Sequence, residues 1–184
     1  MKLQWKSRLH RMVVAGVFAA LLAVLSQIFI PLPTGIPVTL QTFAVALCGF
    51  ALGPGLGAAA VGVYLALGAV GVPVFAGFSG GIGSFVGMTG GYLWAFLPMA
   101  FLCGLGARQK NRALALTVGF LGLVVCHLCG SFQFALVSAV SPWNAFLLAS
   151  APYLLKDAAS LVAAYLAAAA ILRSLEKARL VTLV

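Results

Sequence analysis

Two ionisable residues, Lys156 and Asp157, stand side by side in an apolar stretch near the C-terminus. The chain has only one other acidic residue, Glu176, which lies among basic residues near the end of the chain. An ionisable side chain at the centre of a membrane helix costs about 2.5–3.5 kcal/mol on insertion, so it usually faces a cavity or a partner. Adjacent helical positions point about 100° apart, which makes a tight mutual pair awkward. We predict that this pair contacts a ligand, with a structural ion pair as the alternative.

A glycine-rich stretch, 71–91, could supply main-chain contacts to the same ligand. It is uncharged and has neither of the glycine patterns that cradle nucleotide phosphates. Glycine lets backbone N–H and C=O groups approach a ligand closely. Irregular backbone at membrane depth is tolerated where it lines a cavity. The stretch therefore favours a small-molecule pocket over a nucleotide site.

Three segments together have the composition of such a pocket. They are the proline-rich segment 31–37 with the residues after it, the glycine-rich stretch 71–91, and the apolar stretch around Lys156 and Asp157. The proline-rich segment 31–37 cannot be helical, because its three prolines fix the chain and remove donors. Thr39 and Gln41 follow it, and they add polar groups to one wall. Aromatic faces would come from Phe75, Phe78, Tyr92 and Trp94. Apolar walls with a few polar groups are typical of small-molecule sites.

Composition decides the class of protein that must position these residues. The chain of 184 residues is 64% hydrophobic and 7% charged, whereas soluble domains are about one quarter charged. We therefore expect one all-α domain, 1–184, in the membrane, and not a cleaved signal peptide at its start. Spans of about 20 apolar residues predict six helices joined by irregular extracellular loops. Their ranges are 12–30, 38–52, 55–71, 91–107, 113–140 and 145–174, and the fifth should end early or break near Gly130.

The placement of charge predicts the orientation. Most of the basic residues cluster at the N-terminus, at 108–112 and near the C-terminus. The first, third and fifth connections between the predicted helices, at 31–37, 72–90 and 139–144, carry no charge. Cytoplasmic loops carry the excess of Lys and Arg, so both termini should be cytoplasmic and the pocket should face outside. No basic run alternates with aromatic residues, so the net charge of +9 does not indicate nucleic-acid binding.

The remaining reactive residues do not indicate catalysis or a metal site. Cys126 and Cys129 flank His127, but no second ligand pair completes a tetrahedral site. The predicted topology keeps His10 and His127 away from Asp157, so no acid–base pair is expected. We predict no enzyme activity, metal or cofactor. An ion-coupled transporter would usually need several acidic residues in the membrane.

Small residues at four-residue spacing mark the first predicted helix, at Ala15, Ala19 and Ala23. Such a face lets helix backbones approach closely. It fits either packing within the bundle or docking with another membrane subunit.

Six stretches of the sequence resemble the BioY family, the biotin-specific S components of energy-coupling factor (ECF) transporters. The matching strings are Ile30-Pro-Leu-Pro, Pro37-Val-Thr-Leu-Gln-Thr42, Leu52-Gly-Pro-Gly-Leu-Gly57, Gly68-Ala-Val-Gly-Val-Pro-Val-Phe-Ala-Gly-Phe-Ser-Gly-Gly81, Thr89-Gly-Gly-Tyr92 and Pro152 to Asp157. The resemblance implies high-affinity biotin capture and docking onto a transmembrane coupling subunit driven by paired ATPases. The docking face would be Ala15, Ala19 and Ala23. The implied binding residues are Thr39, Gln41, Phe75, Phe78, Gly81, Thr89, Gly90, Tyr92, Lys156 and Asp157.

The sequence departs from the family pattern at one position. The family often has Asp-x-x-Lys after the proline, whereas here Ser160 occupies the lysine position and Lys156 precedes Asp157. We expect Lys156 to replace that cation. The alternatives are an S component for another small vitamin and a stand-alone ion-coupled transporter. The sequence leaves open whether the chain acts alone or as a homo-oligomer.

Overall fold

The computed structural model describes residues 3–5, 7–32, 36–177 and 181–183. Most of them are helical. The helices are α1 Arg8–Ser26, α2 Gln41–Leu52, α3 Pro54–Ala69, α4 Gly83–Val86, α5 Gly90–Ala107, α6 Arg112–Ser138, α7 Pro142–Ala149 and α8 Leu154–Lys177. Two single 3₁₀ turns lie at Ala76–Phe78 and Ala151–Tyr153. The strands are β1 Leu3–Trp5, β2 Phe29–Ile30, β3 Val38–Thr39 and β4 Val181–Leu183, paired antiparallel as β1–β4 and β2–β3.

The β2–β3 ribbon corrects two predicted helix ends. The first helix ends at Ser26 rather than at residue 30, and the second begins at Gln41 rather than at 38. Ile30 precedes a proline and is therefore biased towards an extended conformation. Pairing of Phe29 with Thr39 then satisfies backbone groups that a helix would otherwise satisfy. The described part of the proline-rich segment is non-helical as predicted, and residues 33–35 lie outside the described residues.

Helix α6 is continuous over 27 residues, so the predicted early end or break near Gly130 is wrong. At 1.5 Å per residue it is about 40 Å long. Gly130 serves packing instead, because a Cβ there would lie 2.2 Å from Cζ of Tyr92. The missing side chain lets the Tyr92 ring lie against the helix without interrupting it.

The prediction of one last helix, 145–174, is also wrong. Here the structure has a break where the sequence predicted a continuous helix. Helix α7 ends at Ala149, a 3₁₀ turn follows, and α8 begins at Leu154. Pro152 lies in that turn, and its ring and missing N–H prevent a regular helix from continuing. The break lies directly before Lys156 and Asp157.

Four helical stretches of the described residues are long and apolar enough to cross a membrane: Arg8–Ser26, Gly90–Ala107, Arg112–Ser138 and Pro142–Lys177. Helices α2 and α3 are also apolar but shorter, with 12 and 16 residues. At 1.5 Å per residue they are about 18 and 24 Å long, against about 30 Å for the hydrocarbon core. The structure therefore indicates a helical, multi-pass membrane protein, and six spans remain a prediction.

Helix α2 forms the centre of the bundle. Nearly all of its residues are buried, and it packs against α1, α3, α5 and α8. The largest fully buried side chains include Phe50 of α2 itself and Tyr64, Met99 and Leu161 of the helices around it. The start of α2, at Gln41 and Thr42, lines the first cavity described below, and its last turn, at Phe50, lines the second.

Helix α1 packs with α2 and α3 through the predicted small-residue face. Ala15 and Ala19 are 7% and 2% exposed, and Ala23 is partly buried against the same core. This packing decides between the two alternatives for Ala15 and Ala19, because a buried face cannot also receive a partner. Gly16 and Ala20 are the small residues on the exposed side of α1.

Candidate functional site

A cavity of about 450 Å³ lies at one end of the bundle. Its walls come from the β2–β3 ribbon, the start of α2, the glycine-rich segment, the start of α5, the middle of α6 and the α7–α8 break. Seven of the ten predicted binding residues line it: Thr39, Gln41, Phe75, Thr89, Tyr92, Lys156 and Asp157. A volume of this size falls within the range of about 300–1,000 Å³ that is usual for small-molecule sites.

Asp157 is the buried anion of this cavity, and two cationic or polar groups contact it. The Lys156 ammonium forms an ion pair with Oδ1 of Asp157. Nε2 of His127 lies 3.3 Å from Oδ2. The side chains of Asp157 and His127 are 7% and 6% exposed, whereas that of Lys156 is 30% exposed. The carboxylate is thus paired on both oxygens at the cavity wall by ion-pair contacts, although among the described residues neither Nε2 of His127 nor Oδ1 of Asp157 has a partner in hydrogen-bond geometry.

Two expectations about the neighbours of this carboxylate are wrong: that a tight pair with Lys156 is awkward, and that His127 lies away from it. The prediction that the carboxylate contacts a ligand stays a prediction. Lys156 and Asp157 do form a mutual ion pair, because the long lysine side chain folds back along the helix end. Its Nζ also donates to the carbonyl oxygen of Thr39 at 2.9 Å. His127 does lie beside Asp157, since α6 and α8 are neighbours at this depth.

A hydrogen-bonded network behind His127 fixes the imidazole. Nδ1 of His127 lies 3.0 Å from Oγ of Ser150, the residue at the α7–α8 break. The same oxygen lies 2.6 Å from Oγ of Ser131 and 3.0 Å from the Tyr92 hydroxyl. Ser150 is fully buried. The break therefore directs a polar side chain into the bundle, where it sets the orientation of His127.

A second group of polar side chains, called here the polar corner, lies next to the β2–β3 ribbon and consists of Thr39, Gln41 and Tyr64. Oγ1 of Thr39 is 3.2 Å from Oε1 of Gln41, and Nε2 of Gln41 donates to the Tyr64 hydroxyl at 2.8 Å. These contacts orient the amide of Gln41 at the start of α2. The Tyr153 hydroxyl donates to the carbonyl oxygen of Ile36 at 2.6 Å, which ties the ribbon to the α7–α8 break.

An aromatic cluster forms the opposite wall. Phe75 lies edge-to-face with Tyr64 and with Phe85, with ring centroids 5.3 and 5.6 Å apart. The side chain of Gln27 holds the backbone of Phe75, because its Nε2 donates to the carbonyl oxygen of Phe75 at 3.1 Å. The cavity thus has a charged end at Asp157 and an apolar aromatic face.

The sequence profile of the BioY family matches residues 1–177. The chain belongs to the BioY family.

Similar proteins agree with this membership. The chain is 44% identical over 125 residues to the biotin transporter BioY of Thermotoga maritima, covering 67% of this chain and 73% of that protein. It is 44% identical over 128 residues to the biotin transporter BioY of Rhodobacter capsulatus, covering 66% and 67%. Its fold is similar to a crystal structure of the S component for biotin from an ECF-type ABC transporter. That match has a TM-score of 0.83 at 24% identity and covers 90% and 92% of the two chains.

Three predicted binding residues, and the further aromatic Trp94, do not line the cavity of this chain. Phe78 is 70% exposed. Gly81 has a φ of +90°, a conformation that favours glycine, and its N–H donates to the carbonyl oxygen of Gly68. A Cβ on Gly90 would lie 2.0 Å from the Phe85 carbonyl oxygen. Trp94 packs on Phe85. These glycines therefore serve turns and packing, which the prediction of main-chain contacts to a ligand did not anticipate.

Several cavity residues were missed by sequence reasoning. They include Thr42, Ser79, Ser84, Gly87, His127 and Tyr153. One signal was available for His127: it and Ser131 are four residues apart, on one face of an otherwise apolar helix. For Ser79, Ser84 and Gly87 the sequence offers none, because the conformation of the glycine-rich segment decides which side chains face inward.

Proposed function

We propose that this chain captures biotin in the cavity at Asp157 and serves as the S component of an ECF-type transporter. Family membership supports the proposal, and the names of the similar transporters supply the substrate. The observation that carries it is a buried carboxylate with both oxygens held, facing an apolar aromatic wall. Biotin has matching chemistry, with N–H donors on its ureido ring and an apolar bicyclic body.

Asp157 accepts a hydrogen bond from a ureido N–H in this proposal. Lys156 then has a positioning role, because its ammonium already contacts Asp157 and the Thr39 carbonyl. This refines the expectation that Lys156 replaces the family cation: it holds the Asp157 carboxylate in place rather than pairing with the biotin carboxylate, which lies at the opposite end of biotin from the ureido ring. The polar corner at Gln41 and Thr39 offers further groups to the ligand.

Biotin binding by the purified protein tests the substrate. We expect biotin to be retained through purification and to raise the thermal midpoint, with no effect from riboflavin, thiamine or folate. Asp157→Asn removes the charge at constant shape and should abolish retention. Lys156→Met should weaken binding, with Lys177→Met, at the far end of α8, as a matched control. Protection by another vitamin but not by biotin would support an S component of different specificity, and near-wild-type affinity of the Lys156→Met protein would refute the role of Lys156.

We further propose one domain with six spans, both termini in the cytoplasm and the cavity facing outside. The uncharged connections on the side of the cavity and the basic 108–112 connection at the other end support this orientation. Helices α2 and α3 would cross as the two short spans, with α2 shielded from lipid by the helices around it. Cysteine labelling from either side of intact cells, at Ser141 and at Gln109, would distinguish the two orientations.

The exposed side of α1 is our proposed contact with the coupling subunit. A Cβ on Gly16 would meet no atom within 4 Å, so Gly16→Leu and Ala20→Leu add bulk to the surface without disturbing the chain. They should leave biotin binding intact and abolish co-purification with the coupling subunit. Phe101→Ala, on an exposed face of α5, is the control. Undiminished co-purification of the leucine variants would refute this face, and biotin binding would be unaffected either way.

A further inference from the structure

A second cavity, of about 410 Å³, lies at the end of the bundle opposite the biotin site. It is a groove between the end of α2, the α5–α6 connection and the stretch of α8 from Tyr165 to Leu172. Its walls are apolar and its mouth is basic. The residues that matter are Phe50, Lys110, Arg112, Tyr165, Ala169 and Leu172.

The floor of the groove is a fixed aromatic pair. Phe50 is 2% exposed and lies edge-to-face with Tyr165, with ring centroids 5.3 Å apart at 79°. The Phe50 ring is packed against Gly119, where a Cβ would lie 2.7 Å from its Cζ, so this ring does not fill the groove. Among the described residues no group hydrogen-bonds to the Tyr165 hydroxyl, which lines the groove.

The mouth of the groove has cations without matching acids. Lys110 and Arg112 are exposed, and neither forms an ion pair within the described residues. Asp157 is at the other end of the bundle, and Glu176 lies in the last turn of α8 beside Lys177. A ligand with a negative head group would therefore meet uncompensated positive charge there.

We propose that this groove binds an anionic phospholipid, with the phosphate at Lys110 and Arg112 and an acyl chain along Tyr165, Ala169 and Leu172. Basic pockets between membrane helices bind acidic lipid head groups in this manner. The rule that places basic residues in cytoplasmic loops accounts for the charges but requires no groove. Inorganic phosphate would use the cations and leave the apolar walls unfilled, and so a lipid fits the whole surface.

Thermal stabilisation of the purified full chain in detergent tests the site. The probes are dihexanoyl phosphatidylglycerol, dihexanoyl phosphatidylcholine and inorganic phosphate, and the readout is the concentration giving half-maximal stabilisation. The wild-type protein should respond to phosphatidylglycerol at a concentration at least about tenfold below that needed for the other two. Each surface cation contributes about fivefold to such binding, so K110Q/R112Q should raise the half-maximal concentration about 30-fold.

The double variant R8Q/R11Q is the matched control, because it removes the same charge from the exposed start of α1, outside the groove. It should shift the response less than about twofold, since those cations lie beyond contact distance of the groove. Ala169→Trp fills the groove without changing charge and should also abolish the preference. Equal stabilisation by phosphatidylcholine or by inorganic phosphate would overturn the proposal. So would equal shifts for K110Q/R112Q and R8Q/R11Q, whether or not the Ala169→Trp protein folds.

Discussion

The contact between His127 and Asp157 gives the sharpest test of how the site is held. Nε2 of His127 lies 3.3 Å from Oδ2 of Asp157, and Nδ1 lies 3.0 Å from Oγ of Ser150. Two amide substitutions separate these contacts. Gln places its amide near the position of Nε2 and can still donate to Asp157. The shorter Asn side chain reaches only the position of Nδ1, so it keeps the contact with Ser150 and loses the contact with Asp157.

The magnitude follows from the charged partner. The 3.3 Å contact is an ion-pair contact, and we expect it to align as a hydrogen bond when the ligand binds. A hydrogen bond to a charged group contributes about 1.5–3 kcal/mol, and each 1.36 kcal/mol is a tenfold change in an equilibrium constant. If the carboxylate of Asp157 must be oriented to accept from biotin, His127→Asn should weaken biotin binding about 10- to 150-fold. His127→Gln should remain within about tenfold of the wild-type protein, because it retains the donor.

Equilibrium binding of radiolabelled biotin to the purified variants measures both constants. Thermal midpoints without biotin, recorded alongside, show whether either substitution harms the fold. We expect the two variants to differ in affinity for biotin while their thermal midpoints are similar. Equal affinities, or wild-type affinity in His127→Asn, would show that His127 does not orient Asp157 for the ligand.

Two further substitutions test how the glycine-rich segment and the ribbon are held. Gly90→Ala should lower the thermal midpoint, because its Cβ would lie 2.0 Å from the Phe85 carbonyl oxygen and such overpacking costs about 1–3 kcal/mol; Gly83→Ala, where no atom lies within 4 Å, is the control, and equal midpoints would contradict the packing argument. Tyr153→Phe removes the donor to the Ile36 carbonyl and should weaken biotin binding about two- to twelvefold, from a net hydrogen bond of about 0.5–1.5 kcal/mol. Unchanged binding by this variant in the same assay would show that the ribbon needs no tie to form the wall.

Composition and hydropathy were sufficient to predict a helical membrane protein, because 7% charge cannot cover a soluble domain. They were not sufficient to place helix ends where the chain stays apolar through an irregular turn. Residues 145–174 form one hydrophobic run, so its length predicted one helix. Pro152 was the available signal of a break, and the structure places the break there. Gly130 gave a false signal of a break. Residue type does not distinguish a glycine that allows close packing from a glycine that ends a helix.

The site was predictable to the extent that single residues are unusual for their surroundings. Asp157 is such a residue, since a carboxylate in an apolar helix is expensive. Its partners depend on which helices are neighbours, and a hydropathy pattern does not contain that information. His127 is 30 positions away in sequence and lies beside Asp157 only because α6 packs along α8. The expectation that they were far apart came from treating spans as independent.

The same three residues, Ser150, His127 and Asp157, follow the order of contacts found in a hydrolase triad. The burial of the serine argues against that chemistry. Ser150 is fully buried and does not line the cavity, and its Oγ also contacts Ser131 and Tyr92. A nucleophile must reach its substrate, whereas this hydroxyl is buried and lies outside the cavity lining. In this chain the hydroxyl fixes the imidazole and the imidazole fixes the carboxylate. Asp157 is then the member of the three that we expect to meet a ligand, and its role is binding.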